Sequence, residues 1–310
     1  MKIYVAGHNG LVGSAIVRKI ENDGVHTWIG KTRAELDLFN FQSVLDFLKT
    51  EIPDAVVVAA AKVGGIGANS KYPVEFLNEN LRIELNLLEA SHAVGVPRLL
   101  FLGSSCIYPK FANQPIKESE LLTGPLEPTN EPYAIAKIAG LKMVEAYATQ
   151  YGRDWISAMP TNIYGPNDNF NLDTAHVLPA LMNRFHQAKL SKAADVTLWG
   201  TGSPMREFLH SDDLASACLF MLDNIHSAGH FNVGTGEDVS IRSLADLLKE
   251  VTAFQGSLAW DHSKPDGTPR KVLDVSKLES FGWRSSIELS RGVHSTYSWF
   301  VENIEKISRI

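Results

Sequence analysis

Within its first twenty residues the chain commits to a strand, a glycine turn and a helix. Lys2-Ile3-Tyr4-Val5-Ala6 is a short apolar run that breaks at once into Gly7-His8-Asn9-Gly10-Leu11-Val12-Gly13, and a helical pattern then runs to about Ile20. Glycines three residues apart allow a tight turn and a close backbone approach. The helix that starts there presents unpaired N–H groups and a partial positive charge. Such a turn cradles the pyrophosphate of a dinucleotide, with residues 7–13 as its lining.

Apolar runs and helical patterns then alternate. His26-Thr27-Trp28-Ile29, Ala55 to Ala61, Leu99 to Leu102 and Ile156 to Met159 read as strands, separated by helices near 41–50, 73–93 and 133–151. The central runs lack polar alternation, as strands covered on both faces do. The expected fold class is α/β: a doubly wound parallel sheet of the Rossmann type over residues 1–165, with a smaller substrate-binding lobe over 166–310. Residues 207–236 should partly return to the sheet, with Phe231-Asn232-Val233-Gly234 as a last strand. Ser240 is expected to cap a helix, and a final helix from about Ser290 should bury Val293, Tyr297, Phe300, Val301 and Ile304.

Composition closes several alternatives. The net charge of −6 argues against a nucleic-acid partner. No run approaches the ~18 apolar residues of a membrane span. Two cysteines, Cys106 and Cys218, give neither a disulfide framework nor a metal-binding spacing. A metal-free cytoplasmic protein is the expectation.

The chemistry concentrates between Leu102 and Lys137. Gly103-Ser104-Ser105-Cys106 follows a strand directly, and Tyr133 and Lys137 stand one helical turn apart on one face. An ammonium beside a phenol should lower its pKa from about 10. A serine, Ser104 or alternatively Ser105, can hydrogen-bond the same oxygen that the tyrosine protonates. This is equipment for moving a proton on and off a carbonyl or alcohol oxygen. After the second strand, where an acidic residue would hold ribose hydroxyls, the chain offers Lys31 and Arg33, which suit a 2′-phosphate and point to NADP(H).

Glycine loop, serine cluster and Tyr-x-x-x-Lys together resemble the extended short-chain dehydrogenase/reductase superfamily. Ala60-Ala61-Lys62-Val63-Gly64-Gly65-Ile66, Gly103 to Lys110, Glu127 to Lys137, Met159 to Pro166, Pro204 to His210 and Lys264 to Lys271 resemble its GDP-L-fucose synthase family over nearly the whole chain. The resemblance implies one site that epimerises C3 and C5 of a GDP-bound 4-keto-6-deoxy sugar and then reduces the C4 ketone with NADPH. It implies Cys106 and His176 as the acid/base pair of the epimerisation, and Tyr133, Lys137 and Ser104 as the reducing machinery. Cofactor contacts would fall on Leu102, Gly103, Ser104, Lys137, Pro160, Asn162, Ile163 and His176, beside the glycine loop and Lys31 and Arg33. Arg184 and Arg206 would clamp the diphosphate, and Trp199 and Asp266 would meet the nucleoside. A homodimer through the sheet-domain helices is implied as well. Asn9 departs from the family, which usually has an arginine there; NADPH preference is expected to survive with weaker discrimination against NADH. The competing readings are an NAD-dependent nucleotide-sugar epimerase or dehydratase of the same superfamily, and a dinucleotide-binding regulator.

Overall fold

The computed structural model describes residues 1–264 and 266–307; Pro265, within the turn-forming run 264–271, lies outside them. The first half alternates strictly: β1 (Lys2–Ala6), α1 (Leu11–Asp23), β2 (Thr27–Ile29), α2 (Phe41–Glu51) and β3 (Ala55–Val58). Next come α3 (Ile66–Lys71), α4 (Pro73–Val94), β4 (Arg98–Leu102), α5 (Glu131–Tyr151) and β5 (Asp154–Pro160). The short α3 sits where the glycine-rich run 62–67 reads as loop, because Gly65 precedes it in extended conformation and frees its first turn.

Five of these strands and a later one, β10, form one parallel sheet in the order β10-β5-β4-β3-β1-β2. β10 (Gly229–Val233) pairs with β5 from Gly229↔Ile156 to Val233↔Pro160. The sheet is buried on both faces, which accounts for the uniformly apolar sequence of β3 and for the apolar run that follows Arg98 in β4. One core joins it to α1 and the residue 211–224 helix; the other joins it to α2, α4 and α5. Pairing of Ala6 with Val58, Val58 with Phe101, and Leu102 with Ala158 brings the strands' carboxyl ends into line. The chain turns from β2 across β1 to β3, so the crevice opens where the β1 and β3 loops meet.

Between β5 and β10 lie β6 (Asn162–Tyr164), α6 (Val177–Leu190), β7 (Asp195–Trp199), β8 (Met205–Arg206), β9 (Phe208–His210) and α7 (Ser211–Asn224). After β10 come β11 (Val239–Ser240), α8 (Ile241–Thr252), β12 (Ser257–Asp261), β13 (Arg270–Lys271), α9 (Ser276–Ser280) and α10 (Leu289–Ile307). A third core gathers α6, α8 and α10 with β7 and β12. Ser240 caps α8 as expected, accepting from the Ser243 N–H at 3.0 Å. In α10, Val293 and Phe300 are buried, but Val301 is 43% exposed, because the apolar stripe is narrower than the sequence pattern suggests.

One carboxylate fastens this second half to the sheet. Glu207 stands fully buried between β8 and β9 and accepts backbone N–H bonds from Thr235 (2.6 Å), Gly236 (2.8 Å) and Leu273 (2.8 Å). Its own carbonyl accepts from the Asn162 side chain at 2.8 Å. Burial raises the Glu207 pKa and the three N–H bonds oppose that rise. Glu207→Ala would take the partner from three donors, one buried (the Leu273 N–H) and two partly buried, and a buried unsatisfied donor costs about 1–3 kcal/mol. A loss of about 3 kcal/mol or more in urea unfolding is expected; a loss under about 1 kcal/mol would show that the clasp is dispensable.

Candidate active site

The five aligned strand ends deliver their loops to one crevice. Gly7 adopts φ +87°, and a Cβ there would press on the Ala60 backbone at 2.8 Å, so the β1 turn packs directly on the end of β3. A Cβ on Gly13 would collide with the Gly7 carbonyl. α1 begins at Leu11, and Gly10 before it offers no side-chain cap, leaving the first-turn N–H groups free to meet an anion. His8 lies 5.7 Å from the Trp28 ring, with a buried Nδ1 that has no partner among the described residues. Lys31 is drawn to Glu35 at 4.0 Å. The Arg33 guanidinium rests 5.3 Å from the Phe39 ring centroid and has no carboxylate partner among the described residues. These features fit a dinucleotide with a 2′-phosphate, with Arg33 as the better placed of the two cations.

Ser104 leaves β4 in extended conformation and its Oγ accepts the Cys106 N–H at 3.2 Å, which turns the chain into a 3₁₀ turn over Ser105–Ile107. Ser105 is buried in that turn, whereas Ser104 and Cys106 stay partly open to the crevice. α5 starts with Pro132 in its first turn, suited to a helix start. Asn130, just before it, donates to Cys106 Sγ at 3.3 Å. The Lys271 ammonium reaches the same sulfur at 3.8 Å from β13. Two donors therefore converge on the thiol from distant parts of the chain.

His176 opens α6 without capping it through its side chain. The Gly65 N–H donates to the Thr174 carbonyl at 2.9 Å, and a Cβ on Gly65 would come within 2.6 Å of the Ala175 carbonyl. That close approach sets the 174–176 segment on the loop after β3. His176 keeps exposed surface, yet the protein around its ring and, secondarily, the Lys271 charge hold its pKa below the ordinary range.

Tyr133 and Lys137 share the inner face of α5, but the expected lowering of the tyrosine pKa is not found. Burial pushes the Tyr133 phenol up; Cys106 and Glu84 push in the same direction, and the Ser104 hydroxyl opposes them. The Lys137 ammonium is committed elsewhere, 3.0 Å from the Leu102 carbonyl and 3.0 Å from Glu84 Oε1. It sits 4.9 Å from the Phe101 ring centroid and 6.0 Å from that of Tyr133.

Pro160 ends β5, and Asn162 and Ile163 lie in β6, where Asn162 is tied to Glu207. Arg184, Trp199, Arg206 and Asp266 are linked through β7 and the loop at 266–267. Arg184 donates to the Thr197 carbonyl at 3.2 Å, and Trp199 is 67% exposed with the Lys264 ammonium 5.7 Å from its ring. Asp266 accepts from the Thr201 N–H at 2.9 Å and hydroxyl at 2.7 Å, which hold its pKa below the usual carboxylate range. A Cβ on Gly267 would lie 3.1 Å from the Arg206 guanidinium, so this loop passes across Arg206.

Against known proteins, residues 3–234 match the model of the NAD dependent epimerase/dehydratase family. The chain belongs to that family. It is 58% identical over 303 residues to GDP-L-fucose synthase 1 of Arabidopsis thaliana, covering 98% of this chain and 94% of the relative. It is 52% identical over 314 residues to the GDP-L-fucose synthase of Escherichia coli strain K12, covering 98% of each. Among solved structures, a GDP-L-fucose synthetase from Naegleria fowleri bound to NADP superposes with a TM-score of 0.91 at 28% identity, covering 98% of this chain and 95% of that one.

Sequence reasoning assigned no role to Lys271, Asn130 or Glu84. Asn130 and Lys271 lie in motifs that carry the family resemblance, but which side chain they meet is a tertiary fact. Glu84 had a visible signal: an acid on the mostly apolar stripe Phe76, Asn80, Ile83, Leu87 of α4. For the cofactor site, a charge-assisted contact is worth about 1.5–3 kcal/mol. Arg33→Ala is therefore expected to weaken NADPH binding about ten- to a hundredfold while NADH affinity stays within about twofold. Fluorescence titration measures both, and equal losses would remove Arg33 from the 2′-phosphate site.

Proposed function

We infer that this protein converts GDP-4-keto-6-deoxy-D-mannose to GDP-L-fucose, as a 3,5-epimerase and NADPH-dependent 4-keto reductase working in one site. The observation that carries this reading is the arrangement around Cys106. A reductase alone needs Ser104, Tyr133 and Lys137. It does not need a thiol met by an ammonium and an amide, with a histidine brought to the same crevice on a separate loop.

The C4 ketone acidifies the protons on C3 and C5. Inverting each centre requires removal of a proton from one face and its return to the other. Cys106 and His176 form that pair, and Lys271 and Asn130 hold charge on the sulfur while it exchanges the proton. His176 is neutral at physiological pH, because burial and Lys271 disfavour its protonated form. NADPH, when bound, supplies the hydride for C4. Tyr133 gives its proton to the C4 oxygen and Ser104 donates a hydrogen bond to the same oxygen. With its pKa raised by burial, Tyr133 holds its proton at working pH, as the acid of this step must.

Residues 7–13, Arg33 and the ends of β4, β5 and β6 form the cofactor side, and residues from 166 onward the substrate side. Arg206, partly buried with its pKa lowered by that burial, and Arg184 take the diphosphate. The exposed Trp199 face and Asp266 take the nucleoside. A homodimer through α4 and α5 belongs to the same reading. It is supported by the exposed apolar side chains Val74, Leu85, Ile135 and Tyr151 on those helices. The cytoplasm is the proposed location, in keeping with two free cysteines and with no described helix long and apolar enough to cross a membrane.

Incubation with GDP-4-keto-6-deoxy-D-mannose in deuterated water tests the reading. Deuterium should enter C3 and C5 without NADPH, and GDP-L-fucose should form once NADPH is added. Cys106→Ser should cut the exchange by about 10²-fold or more. Protonation of His176 removes a competent base, so exchange should fall only as pH drops through its lowered pKa, placing the acid limb below about 6.5. Reduction without exchange would reduce the protein to a keto reductase, and an acid limb above pH 7 would remove His176 from the pair.

A further inference from the structure

Glu84 is a carboxylate where the fold has every physical reason to place a hydrocarbon. It lies on α4, 1% exposed, within the packing of α4 on α5. Gly140 on α5 makes the space for it: a Cβ there would come within 2.6 Å of Glu84 Oε2 and 2.5 Å of the Phe101 ring. Neither carboxylate oxygen has a full hydrogen-bond partner among the described residues; Oε1 stands 3.0 Å from the Lys137 ammonium as an ion pair. Lys137 is itself only 2% exposed. A charge this deep carries a desolvation penalty of several kcal/mol, and a half-satisfied buried pair is poor value for stability alone. A leucine at position 84 would continue the apolar stripe. The pair therefore calls for a role in the chemistry that Lys137 serves.

We propose that Glu84 is a positioning residue for the ketone reduction: its buried carboxylate stations the Lys137 ammonium beneath Tyr133 and tunes how firmly the Tyr133–Lys137 pair keeps its protons. This rests on the reading of Tyr133 as the acid of that step. The groups facing the tyrosine are few. From α5 comes Lys137, from α4 Glu84, and from the loop after β4 Ser104 and Cys106. Lys271 and His176 face the far side, around Cys106. Of these, Glu84 is the carboxylate: burial raises its pKa, and the Lys137 ammonium 3.0 Å away opposes that rise and stands as its counter-charge. Glu84 opposes ionisation of the phenol, and it offsets the ammonium that would otherwise favour the phenolate. The carboxylate thus keeps the acid in its proton-bearing form, and the Leu102 carbonyl fixes the ammonium from the β4 side.

The sign of the effect follows. Glu84→Gln keeps the shape of the side chain and removes its charge, leaving the ammonium uncompensated beside the phenol. The coupled pair then loses its first proton at lower pH, whatever the microscopic route. The alkaline limb of kcat/KM for reduction, measured by NADPH oxidation, should move acid-ward by about one unit or more, roughly tenfold in activity at a pH above the limb. The deuterium exchange at C3 and C5, which runs through Cys106 and His176, should keep its own limb. Superimposable reduction limbs in a folded Glu84→Gln, checked by thermal unfolding, would make Glu84 a packing residue and overturn the proposal. If Glu84→Gln does not fold, Glu84→Asp decides: withdrawing the charge by one methylene should move the limb the same way by less, and an unmoved limb is equally fatal. Absence of reduction in the wild type would instead refute the functional reading, before any variant is compared.

Discussion

Lys137 carries its ammonium into the space between α5 and β4, and much of the site's geometry follows from what that charge requires. It needs an acceptor from the sheet, which is the Leu102 carbonyl, and a counter-charge from the neighbouring helix, which is Glu84. The counter-charge in turn needs a helix partner without a side chain, which is Gly140. Meeting all three fixes the seat of α5 against α4 and β4, and with it the station of Tyr133 above the crevice. Removing one member of a buried pair typically costs about 3–5 kcal/mol, so this seat is strongly held.

Around that fixed helix the site is assembled from segments that meet only through the fold. The parallel sheet aligns the ends of β1, β3, β4, β5 and β10, which brings the glycine turn, the serine–cysteine turn and the Asn162 strand to one edge. The second half is clasped to that edge by Glu207, whose bonds reach Thr235, Gly236 and Leu273. Lys271 stands two residues before Leu273, so the clasp that stabilises the lobe also carries an ammonium to Cys106. Stability and chemistry share the same tether here.

The sheet was legible because its signals are local: uniform apolar runs, a glycine turn and helices of regular period. β12 and α9 were not, since half-buried strand residues and a five-residue helix leave little periodicity. In the site, residue types and spacing pointed to Ser104, Tyr133 and Lys137, and family likeness to Cys106 and His176. The electrostatics inverted one expectation. Spacing places Lys137 near Tyr133, yet the ammonium's charge is answered by a carboxylate 53 positions earlier, and the phenol is left with a raised pKa. No periodicity argument sees a partner on another helix.

The central claim is that one crevice holds two separable proton machines, with Tyr133 serving reduction alone. Tyr133→Phe, given GDP-4-keto-6-deoxy-D-mannose and NADPH in deuterated water and followed by NMR, tests this most directly. The account predicts deuterium at C3 and C5 at close to the wild-type rate, with formation of the reduced sugar lowered by about 10²–10⁴-fold. Loss of exchange and reduction together, in a variant that still binds NADPH, would contradict it.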